Sequence, residues 1–221
     1  MPDFVLELEL GQDSGKVVIG IDEAGRAPLA GPVTAGAVWL DHRRLDPALA
    51  CRIDDSKKLT PQLRATLYEA LSDPATACAV VAVGEASVEE IDRINILQAS
   101  LLAMQRAAEV LVASLGALTP ARLVHSALID GNQLPKRLPC PARAVVQGDG
   151  LSLSIAAASI IAKVTRDRAM AIYAEQFPGY GWERNQGYAT PEHRAGIDRL
   201  GITPLHRRSF RPVREALARA S

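Results

Sequence analysis

Apolar stretches of two kinds alternate along the chain, and the pattern predicts strands interleaved with helices. Short runs rich in Val, Ile and small residues predict buried strands at residues 17–19, 33–40, 77–83, 123–129 and 144–146. Apolar residues at helical spacing predict longer helices at 61–71, 95–115 and 151–174, and shorter ones at 191–200 and 213–220. Residues 1–15 show neither period, and we expect a frayed lead-in there.

Helix start signals support two of these assignments. Thr60 precedes Pro61, an N-cap residue followed by a proline at the first helical position. Ser87 and Glu90 form a capping-box pattern that opens a short helix. Because the first three strands are partly joined by short connections, we expect a mixed sheet with helices on both faces. We expect this α/β unit to span residues 1–175 and a small helical segment to span 176–221.

Composition is typical of a globular protein. Of 221 residues, 48% are hydrophobic and 23% charged, and charge or glycine interrupts the apolar stretches before they reach the ~20 residues of a membrane span. The start of the chain lacks the basic region of a secretory signal. The three cysteines of the chain are far apart and form no Cys-x-x-Cys pair, which predicts reduced thiols. We therefore expect a cytoplasmic protein that does not enter a membrane.

Charge is unevenly distributed although the net charge is zero. From residue 160 to the end there are 11 Lys and Arg against 6 Asp and Glu, whereas the first 159 residues hold 14 against 19. An acidic part followed by a basic part is consistent with a nuclease whose C-terminal segment grips phosphate, although surface charge also varies this much without a function.

Acidic residues follow three of the predicted strands. They are Asp22 with Glu23, Asp130 and Asp149, and a glycine comes within two residues of each position. Functional residues gather where strand ends meet in an α/β sheet, and converging carboxylates repel unless cations neutralise them. Oxygen ligands of this kind suit Mg²⁺ or Mn²⁺, and two such ions ~3.5–4 Å apart commonly serve phosphodiester hydrolysis. On the pattern alone, solvated acidic turns remain the alternative.

A nucleotide-binding protein is the competing class suggested by the glycines of the first loop. Gly20 and Gly25 have the spacing that opens a phosphate-binding P-loop, but the Lys-Ser/Thr that completes that motif is missing. No Gly-x-Gly-x-x-Gly follows any predicted strand. We therefore do not favour this class.

Seven motifs, in order, resemble those of the type 2 ribonucleases H, and most closely the bacterial ribonuclease HII type. The resemblance covers nearly the whole chain after residue 16. The motifs are GIDEAGR at 20–26, PLAGPV at 28–33, DSKKL at 55–59, INILQ at 94–98, DGN at 130–132, AASIIAKVTRD at 157–167 and HRRSF at 206–210.

This resemblance implies an RNase H-like mixed β-sheet flanked by helices, with a small helical C-terminal segment. It implies an endonuclease that hydrolyses the RNA strand of RNA–DNA hybrids and incises duplex DNA 5′ of single ribonucleotides, leaving a 3′-hydroxyl and a 5′-phosphate. The family's four metal-binding carboxylates fall on Asp22, Glu23, Asp130 and Asp149, and Asp22 is our candidate for bridging two ions. We expect a monomer whose partners are RNA–DNA hybrids and ribonucleotide-containing DNA.

The resemblance also assigns residues to substrate binding. In the family, a Gly-Arg-Gly segment contacts the ribose 2′-hydroxyl, largely through its backbone, and here it corresponds to Gly25, Arg26 and Ala27. Tyr188 corresponds to a tyrosine that stacks near the sugar at the junction, with packing beneath the C-terminal helices as the alternative. The further site residues for contacts with the nucleic acid are Lys57, Lys58, Asn132, Lys163 and Arg207, and Arg166 and Arg208 are basic residues of the same motifs with similar standing.

Ala27 is the sharpest departure from the family pattern. If its backbone needs a positive φ, alanine costs about 1 kcal/mol or more; otherwise its methyl group crowds the substrate. Gln147 and Gln186 replace lysines that are frequent in the family. The alternative function is therefore a nucleic-acid-binding protein of this fold with weakened catalysis, but the intact carboxylates favour an active enzyme.

Overall fold

A computed structural model describes residues 1–76, 78–118 and 124–220. Within them a five-stranded sheet has the order β3-β2-β1-β4-β5. β1 pairs antiparallel with β2 and parallel with β4; β2 pairs antiparallel with β3, and β4 parallel with β5. The sheet is therefore mixed, as predicted. The strands are β1 Val17–Ala24, β2 Val33–Leu40, β3 Ala79–Ala86, β4 Val124–Asp130 and β5 Ala142–Val145.

Strand bounds agree best with the sequence where β-branched residues dominate. β2 has the predicted limits, whereas β1 continues past Ile19 through both acidic residues because Asp22 and Glu23 pair with Gly36 and Ala35 of β2. β3 begins and ends later than predicted, and β5 is shifted towards the N-terminus. The predicted starts of β3 and β4, at residues 77 and 123, lie outside the described residues.

Eight helices lie in the described part of the chain. They are α1 Val5–Glu9, α2 Pro47–Ala50, α3 Pro61–Ser72, α4 Val88–Leu118, α5 Leu153–Gln176, α6 Trp182–Asn185, α7 Pro191–Leu200 and α8 Arg211–Ala220. Thr60 caps α3, since its side chain accepts from the Leu63 N–H at 3.3 Å. The Ser87–Glu90 capping box forms in both directions, at 3.3 and 2.9 Å. The sequence did not predict α1, α2 or α6.

α4 and α5 cover opposite faces of the sheet. Ile19 and Ile21 of β1 lie in the apolar cluster beneath α4, whereas α5 packs on the other face. The alanine-rich part of α5 approaches the strands closely because the strands carry glycines there. A Cβ on Gly20 would lie 2.1 Å from the carbonyl carbon of Ser154, and one on Gly36 would lie 2.4 Å from the Ala158 oxygen. This close packing fixes α5 behind the acidic end of β1.

α4 contains a break at Asn95, whose φ of 66° and ψ of 163° are not helical. Its side chain caps the following segment, accepting from the N–H groups of Leu97 at 3.0 Å and Gln98 at 3.2 Å. The prediction of a short helix and a long one meeting here is therefore correct. Residues 88–117 are long and apolar enough to cross a membrane by length and composition alone, but their apolar side packs on the sheet.

The prediction of a frayed N-terminus is wrong. Glu7 of α1 is fully buried, and its Oε1 accepts hydrogen bonds from both hydroxyls of Ser152 and Ser154, each at 2.6 Å. Asp3 also pairs with Ser152 as an isolated β-bridge. A buried carboxylate needs such partners, and they lie about 145 residues away in the chain, so local sequence does not reveal them.

Residues 176–220 pack against the loop that follows β1. Tyr180, Trp182, Ile197 and Val213 share an apolar cluster with Leu29, Ala30 and Met170. The division at residue 175 stays a prediction. The contact nevertheless brings the basic C-terminal part of the chain up to the loop that follows β1.

Candidate active site

Three of the predicted acidic residues meet at the end of the two central parallel strands. Asp22 and Glu23 lie near the end of β1, and Asp130 is the last residue of β4. Each offers a carboxylate oxygen that lies within 4.8 Å of those of the other two. The parallel pairing of β1 with β4 produces this convergence, because it carries residues more than 100 positions apart to the same edge.

The three carboxylates are poorly solvated and close to one another. Asp22 is only 3% exposed. Its burial, and then the nearby Glu23 and Asp130 carboxylates, raise its pKa well above the ordinary value. Burial also raises the pKa of Glu23, opposed by an ion pair to Arg26 at 3.2 Å. Burial likewise raises the pKa of Asp130, although the Gly148 N–H donates to it at 2.7 Å. Such a group favours a bound cation.

Asp149 adjoins this group without belonging to it. It lies in a 3-10 turn at Gly148–Gly150, which the bond from Gly148 to Asp130 ties to β4. Its carboxylate accepts from Lys57 Nζ at 3.2 Å. Partial burial acts against the charged form of Lys57, but the carboxylates of Asp149, Asp22 and Asp55 together raise its pKa. The ammonium group therefore serves as a counter-ion to the acidic cluster in the protein by itself.

A cleft of about 230 Å³ joins the acidic group to the loop after β1. Nine of the thirteen residues predicted for the site line it: Asp22, Glu23, Gly25, Arg26, Ala27, Lys57, Asp130, Lys163 and Tyr188. Ala24, Ser56 and Arg166 complete the lining. The cleft therefore joins the carboxylates at the strand ends to the loop after β1, with basic side chains among them. This arrangement suits a phosphodiester beside a cation.

Ala27 adopts no left-handed conformation. The non-glycine residues with positive φ in the described part of the chain are Asn95, Gln147 and Gln186, and Ala27 is not among them. Of the two alternatives weighed for this position, backbone strain is therefore excluded. Its methyl group belongs to the exposed lining of the cleft, where crowding of a substrate remains the open alternative.

Tyr188 is held at the rim of the cleft through its backbone. Its side chain is 42% exposed, so its ring is available to a ligand and is not packed beneath the C-terminal helices. Its carbonyl accepts from the Thr190 N–H at 2.8 Å and lies 2.9 Å from Nδ1 of His193. Lys163 forms an ion pair at 2.7 Å with Asp167 on the same helix.

Four predicted residues lie outside the lining of the cleft. Asp149 contacts the cleft residue Lys57 but does not itself line the cleft. Lys58 is exposed and pairs with Asp54 at 3.1 Å, and Asn132 is exposed in the loop after β4. Arg207 is 0% exposed and lies behind the loop after β1. In the described part of the chain, its guanidinium donates to five backbone carbonyls and lies over the ring of Phe210.

Ser56 is a cleft residue that the sequence did not single out, whereas Arg166 was named there as a basic residue for contact with the nucleic acid and is buried instead. Arg166 is buried on α5 and donates to three backbone carbonyls, and the Ser56 N–H donates to the Ser159 hydroxyl at 3.2 Å. One signal for Arg166 was present in the sequence. An arginine at a buried position of an alanine-rich helix needs acceptors, and loop carbonyls supply them here.

Comparison with known proteins identifies relatives over the whole chain. The family model for ribonuclease HII matches residues 19–213. Ribonuclease HII of Rhodospirillum rubrum is 61% identical over 222 residues, covering 100% of this chain and 94% of that protein.

Solved structures agree with the fold. Ribonuclease H2 from Pyrococcus horikoshii OT3 is similar with a TM-score of 0.65 and 25% identity, covering 92% of this chain and 98% of that one. Bst-RNase HIII in complex with Mn²⁺ has a TM-score of 0.73 at 20% identity, covering 100% of this chain and 74% of that one. The second likeness concerns the fold alone.

Proposed function

The chain belongs to the ribonuclease HII family and is a divalent-metal-dependent ribonuclease H endonuclease that acts on RNA–DNA hybrids; from this premise we propose that it also incises DNA 5′ of single ribonucleotides, leaving a 3′-hydroxyl and a 5′-phosphate. One observation carries the proposal. The oxygens of Asp22, Glu23 and Asp130 lie within 4.8 Å of one another, in the same cleft as the loop residues expected to contact ribose.

The donor set fits hard divalent cations. The three clustered ligands are carboxylates, and their raised pKa values reflect burial and mutual repulsion that a cation would relieve. We propose that these three, with Asp149, hold two Mg²⁺ or Mn²⁺ ions, which would stabilise the charge that develops on phosphate during hydrolysis. Bst-RNase HIII, which shares the fold, has been solved in complex with Mn²⁺. Asp149 would exchange its contact with Lys57 for this role.

The chain's own residues would bind and orient the nucleic acid. We propose that the backbone of residues 25–27 contacts the ribose 2′-hydroxyl, the group that distinguishes RNA from DNA, and that the exposed ring of Tyr188 stacks on the neighbouring sugar. Lys57 and Lys163 lie at the cleft, where they would contact the phosphates nearest the cut. Lys58 and Asn132, which are exposed outside it, would contact the duplex farther along.

We further propose that residues 176–221 act as the substrate-binding segment of a cytoplasmic monomer. Their contact with the loop after β1 and the excess of basic residues from position 160 onward support this assignment. Attraction between these residues and phosphates would make affinity for duplexes fall as the salt concentration rises.

The test is a cleavage assay on three labelled duplexes: DNA with one ribonucleotide, an RNA–DNA hybrid, and DNA alone. With Mg²⁺ or Mn²⁺ we expect cuts in the first two, and product ends that place the incision 5′ of the ribonucleotide. Asp22→Asn should reduce cleavage by at least about 100-fold, since loss of even an outer-shell partner of a metal costs 10- to 100-fold. Its binding to the duplex should survive.

Asp13→Asn is the matched control, because this exposed carboxylate pairs with Arg43 at the surface, away from the cleft. It should leave cleavage unchanged. Tight binding of the duplexes by the wild-type protein, without cleavage at any metal concentration, would overturn the proposal in favour of a nucleic-acid-binding protein.

A further inference from the structure

Arg207 uses every donor of its side chain on a single loop. Its guanidinium has five N–H groups, and five hydrogen bonds of 2.6 to 3.0 Å join it to the loop of residues 25–32. The accepting carbonyls are those of Gly31 for Nε, Arg26 and Pro28 for Nη1, and Gly25 and Pro32 for Nη2. One fully buried residue from the C-terminal segment thus holds the loop from behind.

Arg166 holds the same loop from α5. Its Nε donates to the Pro32 carbonyl and its Nη2 to the Ala30 carbonyl, each at 3.0 Å. Its Nη1 donates to the carbonyl of Gln186, also at 3.0 Å. The two arginines therefore share the Pro32 oxygen, and together they connect the loop, α5 and the segment that carries Tyr188.

Neither guanidinium forms an ion pair within the described residues. Burial, and then the neighbouring charge of Arg166, lowers the pKa of Arg207 to about 9. Burial also lowers the pKa of Arg166. Two adjacent buried cations without a carboxylate are costly to a folded protein, so their carbonyl contacts need to be complete. This cost favours a role beyond filling space.

The direction of the carbonyls determines where the loop's N–H groups lie. In a trans peptide the C=O and the next N–H point in opposite directions. When Arg207 binds the carbonyls of Gly25 and Arg26, the N–H groups of Arg26 and Ala27 are therefore turned away from it. Neither N–H has a hydrogen-bond partner in the part of the chain that the structure describes, and both residues are exposed in the lining of the cleft.

We infer that Arg207 is a positioning residue for recognition of the ribose. By fixing two consecutive carbonyls, it presents the N–H groups of Arg26 and Ala27 as a preformed pair of donors for an oxygen of the nucleotide in the cleft. This inference rests on the proposed function and replaces the direct contact with nucleic acid predicted for Arg207. Lysine cannot substitute, since an ammonium group has three donors at a single point whereas the guanidinium fork reaches five acceptors.

The test compares Arg207→Lys with Arg43→Lys, the same substitution at an exposed arginine that pairs with Asp13 and is not part of the cleft lining. On DNA with a single ribonucleotide, we expect kcat/KM to fall between about 10- and 100-fold in Arg207→Lys, the range that loss of orientation produces. Preference for this duplex over DNA alone should fall in binding assays as well. Arg43→Lys should match the wild type in both.

Hydrogen exchange tests the positioning role without reference to activity. The N–H groups of Leu29 and Gly31 bond to the carbonyls of Gly187 and Leu205 at 2.8 and 2.9 Å, so they report on the loop. Arg207→Lys should speed their exchange and Arg43→Lys should not. If Arg207→Lys does not fold, Arg207→Gln, whose amide keeps two donors in place of five, takes its place with the same expectations.

The outcomes separate the inference from the proposed function. If the wild type cuts no ribonucleotide-containing duplex, the proposed function fails, while exchange still tests the hold on the loop. If the wild type cuts and Arg207→Lys is less stable but retains kcat/KM, ribonucleotide preference and exchange rates, Arg207 is merely structural and the inference is wrong.

Discussion

The two sides of the cleft both bury charge, but they neutralise it differently. On the acidic side, Asp22, Glu23 and Asp130 lie within reach of one another, and their burial raises their pKa values. On the loop side, Arg166 and Arg207 have no carboxylate partner in the described chain, yet backbone carbonyls satisfy their donors. If the proposed function is right, divalent cations from solution complete the acidic side, whereas the loop side is complete within the chain.

This difference separates what each side responds to. Metal ions and changes of pH should act on the carboxylates, whose pKa values burial raises. The loop should respond mainly to substitutions that alter its backbone or the arginines behind it. Variants and conditions that affect one side and spare the other therefore test whether the two sides are independent.

Gly25→Ala should cause the largest loss of stability, and it should act on the loop side alone. Gly25 has a φ of +97°, and a Cβ there would lie 2.1 Å from Nε of Arg166. We expect the free energy of unfolding to fall by about 2–5 kcal/mol, from left-handed strain of about 1–2 and overpacking of about 1–3 kcal/mol. Chemical denaturation measures it. Gly131→Ala is the control, because its φ is +101° and no atom lies within 4 Å of the added Cβ.

The comparison of these two glycines isolates the contact with Arg166. Gly131→Ala should show the strain alone, and the excess loss in Gly25→Ala should come from displacement of the guanidinium. Equal losses in the two variants would mean that Arg166 moves away at no cost, and that the loop is not tightly held from α5.

Metal ions should stabilise the acidic side. At a concentration 100 times the dissociation constant, Mn²⁺ or Mg²⁺ should add about 2.7 kcal/mol to the free energy of unfolding, and Asp22→Asn should remove this gain. Without metal, the ionised Asp22 carboxylate should instead lower the free energy of unfolding. Because the pKa of Asp22 is raised in the folded state, that state binds more protons than the unfolded one, so stability falls as pH rises above the unfolded pKa. At neutral pH, metal-free Asp22→Asn should therefore be more stable than the wild type.

Thermal denaturation with and without metal measures both effects. Arg207→Lys provides the cross-check, since a change on the loop side should leave the metal-dependent gain intact. An equal gain in Asp22→Asn and the wild type would show that the ions bind elsewhere.

Much of the fold could be predicted because its signals are local. β2, the capping box before α4 and the limits of α7 follow from β-branched runs, cap residues and a proline. α1 could not be predicted in this way. Five residues form too short a helix for a periodic signal, and the contact that fixes it, Glu7 with Ser152, depends on the tertiary structure.

The acidic side of the site was more predictable than the loop side for a similar reason. A carboxylate directly after a buried strand is conspicuous in a sequence, and the geometry of a sheet then brings such strand ends together. Arg207 lies about 180 residues from the carbonyls it binds. Arginine is seldom buried, so a basic C-terminal motif suggested surface contact with phosphate rather than a hold on the backbone.

Acid should also weaken the C-terminal packing beside the loop, through a pair of histidines. His193 and His206 are buried, with their Nε2 atoms 3.0 Å apart, and the Thr203 N–H donates to Nδ1 of His206 at 2.9 Å. Burial, and then His193, lowers the pKa of His206 to about 3. The unfolded chain takes up a proton near pH 6.5 and the folded one does not. Stability is therefore full above that pH and falls by at most about 1.4 kcal/mol per unit as the pH drops towards 3.

His206→Asn tests this assignment, since the amide oxygen retains an acceptor for Thr203 without a group that titrates in this range. Urea denaturation at several pH values between 7 and 5 should show a shallower loss of stability in the variant than in the wild type. Identical slopes would mean that His206 takes up its proton equally in the folded and unfolded states.

Ala27→Gly should have the smallest effect and tests how the loop meets its substrate. Since Ala27 has no left-handed strain to relieve, glycine brings no gain in stability, and the added freedom of the chain should cost about 0.5–1 kcal/mol.

Removal of the methyl group also widens the cleft. This should matter most for DNA with a single ribonucleotide, which has only one ribose to place there. We expect its cleavage to improve by no more than about threefold, under 0.7 kcal/mol, and more than cleavage of a long hybrid, which offers many ribose positions. Initial rates on both substrates measure this. An equal change on both would show that the methyl group does not limit access, whereas a gain far above threefold would show that the loop takes up a different backbone conformation when substrate binds.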